Sequence, residues 1–304
     1  MPNSTNTIEI IKRIHMGGFR FSIISLICSF FMLLLIFFNK ILSSLTYHFL
    51  ICVFISEFLG NIGKIFEYED NVNGWCKRVS LFLIPFSDIF TMTLFCFFSI
   101  CSVELIIKSN RNIKEKENKY YYSSFFISFI YSIIINIFLY KEDNNTRFYF
   151  YAESKLNYLR FIHIGFLMFM TCYMSYNTFI VIQFLKEKQK SDKINAWKIV
   201  KLIKVLFRFP LICFIYWILY IPSLSLTYFS GSKNKYITYI FMLFSVSFFS
   251  LRGFLLFLNT IQTNKVQIVL ERLIINFKHR FILLSKNRKW SLKGNIKKKG
   301  KDED

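Results

Sequence analysis

Seven apolar stretches of roughly twenty residues or more, separated by polar segments, constrain this chain more than any other feature. They run Phe19–Phe38, Tyr47–Phe66, Cys76–Ile107, Ser123–Tyr140, Leu159–Leu185, Phe209–Ser230 and Tyr236–Leu258. A helix rises about 1.5 Å per residue, so about 20 residues cross a hydrocarbon core about 30 Å thick. Helices of soluble proteins rarely reach that length. The pattern predicts an all-α fold, a seven-transmembrane helix bundle over residues 19–258, held in membrane lipid as a multi-pass protein. Residues 1–18 then form an extracellular amino-terminal tail. The spans, loops and tail use the whole length, which leaves no room for a separate soluble catalytic domain.

Charge sets the expected orientation. The net charge is +21, which in a soluble protein would point to nucleic acid. Here topology accounts for it, and no nucleic-acid partner is expected. With the amino terminus outside, the segments Asn39–Thr46, Lys108–Tyr122, Lys186–Arg208 and Asn259–Asp304 are cytoplasmic. They hold 26 of the 39 Lys and Arg residues, as basic residues gather on the cytoplasmic side. Lys12, Arg13 and Arg20 flank the first span on the other side and oppose this count locally. Two glycosylation sequons, at Asn3 and Asn144, fall outside under the same orientation. The expected location is the plasma membrane.

Charge inside a bilayer is expensive, so each ionisable residue within a span is a candidate for function. Glu57 lies about 15 Å from the inner face and Asp88 about 18 Å below the outer end of its span, by helix rise. Arg252 lies some 10 Å from the inner face by the same rise, and an arginine can reach several ångströms along the bilayer normal. Glu57 and Arg252 are therefore expected to point into the bundle and to pair, either to fix helix packing or to switch. Lys64, near the outer end of the second span, is expected to snorkel toward the interface. His48 and Glu104 sit about one turn from the inner boundary, where they would form a polar lock or a solvated pair.

The sixth span carries Trp217, Tyr220 and Pro222. A proline inside a helix removes one backbone hydrogen bond and bends the rod, so this span is expected to move. Beyond the seventh span, Val266, Leu270, Leu273, Phe277 and Phe281 form a helical stripe with basic residues mainly opposite. Residues 259–285 are accordingly expected to form an amphipathic helix on the membrane surface. The remainder, 286–304, is polar and basic and is expected to be disordered. No phosphate-binding loop, no paired Cys or His at metal-ligand spacing and no serine–histidine–acid pattern occurs. No enzyme activity, metal or cofactor is expected.

Three places resemble the G-protein-coupled receptors, within them the cyclic-AMP-receptor-like and fungal glucose-receptor-like group. Trp75-Cys76 opens the third span where such receptors carry a cysteine. Phe209-Pro210-Leu211 leads into Tyr216-Trp217 and Pro222, like that group's sixth helix. Ser250-Leu251-Arg252-Gly253-Phe254 closes the seventh where the group carries a small residue and then Gly-Phe. Two departures stand out. The segment Lys141–Tyr158 has no Cys to pair with Cys76, and Val103-Glu104-Leu105 replaces the acid–Arg–Tyr triplet of rhodopsin-like receptors.

The resemblance implies a receptor that senses an extracellular ligand and activates a heterotrimeric G protein on the cytoplasmic face. The ligand, of unknown identity, would bind near Asp88, His163, Trp217 and Tyr220. The alternative is a seven-span transporter or channel in which Glu57, Asp88 and Arg252 line a path.

Overall fold

The structure is a computed structural model, and it describes residues 4–39, 45–68, 74–108, 113–142, 157–191, 235–263 and 266–275. Those residues are almost entirely helical, with no strand among them. The long helices are α1 (Ser4–Phe38), α2 (Leu45–Tyr68), α3 (Gly74–Ile106), α4 (Ile113–Glu142), α5 (Asn157–Ser191) and α6 (Lys235–Ile261). A short helix, α7, covers 266–275. In lipid the backbone must satisfy its own hydrogen bonds, and a helix does so within one segment.

Among the described residues, five helices contain stretches long and apolar enough to cross a membrane: Met16–Phe38, His48–Glu67, Gly74–Glu104, Asn118–Ile137 and Ile162–Gln189. The chain is thus a multi-pass membrane protein, all-helical over its described residues. Helix α6 covers the seventh apolar stretch. The sixth stretch, Phe209–Ser230, lies outside the described residues together with Trp217, Tyr220 and Pro222. The sequon residues Asn3 and Asn144 and the polar segment 286–304 lie outside them as well. At the amino end, α1 starts at Ser4, so helix continues well before the apolar stretch that begins near Met16.

Helix α3 is the axis of the bundle. It packs on α2, α4 and α5, while α1 packs on α2 and α6 and α2 also touches α6. Most of the α3 span is buried, while most of the α4 span is not. The core runs through Met32, Phe54, Ile84, Ile89, Leu94, Leu167 and Phe249. Around it, the outward faces of α1, α4 and α5 carry exposed Phe30, Phe37, Phe126, Ile130, Phe169 and Phe179. Apolar residues on the outside and small polar residues between helices is the packing a bilayer favours, because lipid competes equally for apolar side chains.

The hydroxyls within the spans are mostly absorbed by their own helices. Thr93 donates to the Ile89 carbonyl at 2.8 Å, Ser132 to Ser128 at 2.7 Å and Thr171 to Leu167 at 2.9 Å. This back-bonding leaves a small, electrically quiet surface against which a neighbour can pack. Helix α7 turns the chain back onto the bundle. Val266 and Val269 are buried in it and Leu270 packs on the core, while Leu273, Ile274 and Ile275 are exposed. The expected stripe therefore divides, its first part seating on protein and Leu273 facing outward. Phe277 and Phe281 lie outside the described residues.

Candidate functional site

A single guanidinium organises the middle of the bundle. Arg252 on α6 places Nε 2.6 Å from Glu57 Oε1 on α2 and Nη1 2.5 Å from Asp88 Oδ1 on α3. Its Nη2 donates to Ser87 Oγ at 3.2 Å. The contact to Asp88 is a directed hydrogen bond. The contact to Glu57 is a close charge pair. Glu57 is fully buried, and Asp88 and Arg252 are only 3% and 8% exposed.

Small residues let the three helices come close enough for this. A Cβ on Gly60 would lie 2.3 Å from Ser87 Oγ and 2.6 Å from Ser87 Cβ, so only glycine permits this approach of α2 to α3. A Cβ on Gly253 would meet Ser29 Oγ at 2.8 Å and Asn61 Nδ2 at 3.2 Å. The Phe254 amide donates to Ser25 Oγ at 3.0 Å. The Gly253-Phe254 pair thus seats α6 against the serine face of α1, directly beside Arg252.

Hydroxyls line the α2–α3 seam. Ser56 donates to the Ser87 carbonyl at 3.0 Å, and Thr91 Oγ1 lies 2.9 Å from Ser56 Oγ and 3.3 Å from Glu57 Oε1. Glu57 engages through Oε1. Its Oε2 is buried without a hydrogen bond among the described residues. Pro85 stands inside α3 three residues before Asp88 and removes one rung of the helix ladder there.

On the far side of α3 the cluster continues into α5 and α4. His163 Nε2 lies 3.9 Å from Asp88 Oδ2, and Tyr131 OH lies 2.7 Å from His163 Nδ1. The two rings stack with centroids 5.4 Å apart. Asp88 therefore divides its two oxygens between Arg252 and the His163–Tyr131 pair. The expected ligand residues Asp88 and His163 and the expected packing pair Glu57 and Arg252 are parts of one network. Trp217 and Tyr220, the other two ligand candidates, and Pro222, the bend in the moving span, lie outside the described residues.

Lys64 corrects the snorkelling expectation. It is 1% exposed, and its Nζ donates to the Phe249 carbonyl at 2.7 Å and lies 4.0 Å from the centre of the Phe249 ring. Helix α6 supplies both a carbonyl and a ring face within the bundle, so the ammonium has partners without reaching water. With Lys64 included, two cations lie among the carboxylates of Glu57, Asp88 and, beside Lys64, Glu67. The mixture of signs matters, because an uncompensated charge in a low-dielectric interior is far more costly than a compensated one.

The inner-edge lock does not form between the residues expected. Glu104 pairs with Lys116 of α4, Nζ to Oε2 at 3.1 Å, and His48 is exposed. The short connection from α3 to α4 brings Lys116 onto Glu104, whose hydrogen bond and charge hold the Lys116 amine above its ordinary value. Cys76 is half-buried with a free thiol.

Sequence reasoning missed that Asp88 belongs with Glu57. Their depths gave the signal, since about 15 Å from one face and about 18 Å from the other describe the same level in a core about 30 Å thick. Tyr131 carried no comparable signal, because one tyrosine among apolar residues is ordinary. No protein-family model matches the chain, and no curated protein matches it.

Proposed function

We propose that this chain is a seven-transmembrane receptor, oriented with its amino terminus outside in the plasma membrane, that senses an extracellular ligand and signals to a heterotrimeric G protein. The observation that carries the reading is the Arg252 clamp. It ties the last long helix to α2 and α3 at one buried point, so a small change there biases a large element. A ligand shifts such an equilibrium only by its differential affinity for the two states. His163 lies six residues after Asn157, about 9 Å of rise from the start of α5, and so places the cluster within reach of one end of the bundle. Signalling would pass through the basic segments Lys108–Lys119 and Lys186–Arg208. Arg252 and its neighbours Gly253 and Phe254 occupy the place where the receptor resemblance is carried, which supports the same reading.

The test is nucleotide exchange. Purified protein in lipid nanodiscs is screened against a panel of heterotrimeric G proteins, as wild type and as Arg252→Gln, which loosens the clamp. Accelerated exchange in either form is the expected result. No acceleration with any trimer would overturn the proposal. Solute flux in proteoliposomes that Glu57→Gln abolishes would replace it with the transport reading.

A further inference from the structure

Many hydroxyls inside the spans bond to their own helix, but a set of polar atoms where α1, α2 and α6 meet does not. Ser22 Oγ, Ser29 Oγ, Glu57 Oε2 and Asn61 Oδ1 belong to fully buried residues and have no hydrogen-bond partner among the described residues. Each such group loses its hydration on burial and gains nothing in return unless a donor or acceptor reaches it. We propose that this junction binds water, held by Asn61 Oδ1, Glu57 Oε2 and Ser29 Oγ. The site would stand whether or not the chain signals to a G protein.

Three helices aim these groups at one place. A Cβ on Gly253 of α6 would lie 2.8 Å from Ser29 Oγ, 3.2 Å from Asn61 Nδ2 and 3.3 Å from Ser25 Oγ. The Ser29 hydroxyl and the Asn61 amide therefore stand within roughly two hydrogen-bond lengths of each other, the span of one bridging water. Asn61 Nδ2 already donates to the Glu57 carbonyl at 2.8 Å, which fixes the amide with Oδ1 as the remaining acceptor. Glu57 stands one turn along the same face of α2, opposite Arg252, the residue next to Gly253. Ser22 lies two turns from Ser29 on α1, about 10 Å by rise, and extends the row of hydroxyls toward the amino-terminal end.

The chemistry of the set selects the ligand. Asn61 Oδ1 accepts only, as does an ionised Glu57, while the serine hydroxyl can donate or accept. The ligand must bring at least two donors into a closely packed junction, and water is the smallest molecule that does. A metal ion would suit the same oxygens, but it would share one carboxylate with the Arg252 guanidinium, whose Nε is 2.6 Å from Glu57 Oε1. Like charges so close in a low-dielectric interior repel strongly, which favours the neutral donor. The water also changes what the clamp can do. When Arg252 leaves Glu57, a water on Oε2 keeps one donor on the carboxylate, so α6 can shift without leaving Glu57 bare.

Radiolytic footprinting of full-length protein in lipid nanodiscs tests this. X-ray pulses split water into hydroxyl radicals, which oxidise the side chains beside each water, and mass spectrometry locates the products. Phe249, one turn before Gly253 and 1% exposed, reports on the junction. Phe95, 2% exposed and packed on the Phe49 ring, is the equally buried control. Phe249 is expected to be oxidised several-fold faster than Phe95. The excess should vanish in Asn61→Leu and fall in Ser29→Ala, which removes a single hydroxyl and serves alone if the first variant does not fold. Equal oxidation of the two rings overturns the proposal, as does an excess that Ser29→Ala leaves unchanged. An excess lost when choline replaces sodium in the buffer overturns it too, because the ligand is then an ion. Nucleotide exchange is read separately, and its absence counts against the receptor reading while the water site stands.

Discussion

The two sides of α3 hold their neighbours by different means. Toward α2 and α6 it presents Ser87, Asp88 and Thr91, and the contacts are directional, short and charged. Toward α4 it presents Phe82, Phe86 and Phe90 to Phe125 and Phe129, with edge-to-face centroids 5.7 to 6.3 Å apart. The buried serines Ser124, Ser128 and Ser132 give α4 a shallow face on which to approach. Aromatic packing of this kind tolerates small adjustments, since lipid and protein are nearly equivalent surroundings for a ring. The charged seam does not, because a displaced partner leaves a bare charge in a dry interior. One side of the axis is suited to holding the bundle, the other to having two distinct states.

The comparison is sharpest where the clamp is cut. Arg252→Met takes from Glu57 and Asp88 their short cationic contacts and should lower stability by about 3–5 kcal/mol. The double variant Asp88→Asn, Arg252→Met, which removes one charge of each sign, should recover most of that loss. Denaturant unfolding in bicelles measures both, and a double variant no better than the single one would break the argument for charge compensation. A smaller effect is expected at the close approach. Gly60→Ala forces a methyl onto Ser87 and should cost about 1–3 kcal/mol, as overpacking does. Gly253→Ala should cost less, because the nearest atom, Ser29 Oγ, can rotate away.

On the aromatic side, Phe125→Leu keeps the apolar volume and loses ring contacts with Phe86 and Phe90. About 0.5–1.5 kcal/mol is expected, the value of edge-to-face geometry beyond area. A loss as large as that of Arg252→Met would erase the distinction between the two sides. Least of all should follow from Lys116→Met. Lys116 is the exposed partner of its pair with Glu104, and such a pair at a surface contributes little. The unfolding midpoint should stay within measurement error and should not respond to salt.

Span length and hydropathy placed the helices in advance, because the bilayer fixes how much apolar chain one crossing needs. The apolar spans within α1 to α5 begin and end close to the stretches read from the sequence, although α1 and α4 themselves start well before them. The cost of charge in lipid likewise made Glu57, Asp88 and Arg252 conspicuous, and a depth argument made Glu57 and Arg252 partners. What depth cannot supply is azimuth. Rise along a helix says how far down a residue lies and nothing about which neighbour it faces, so Asp88 was separated from Glu57 although both lie at one level.

Lys64 shows the same limit from another direction. A lysine near a helix end ordinarily extends to water, and only the presence of the Phe249 carbonyl and ring beside it makes burial preferable. The lock at Glu104 failed for a similar reason, since His48 was matched to it by level while Lys116 reaches it through the next helix. The sequence by itself determined that this is a helical membrane protein and which charges must find partners inside it. Tertiary structure decided the pairing, because in a packed bundle the partner of a buried charge is set by helix rotation and by where glycine and serine let two backbones approach.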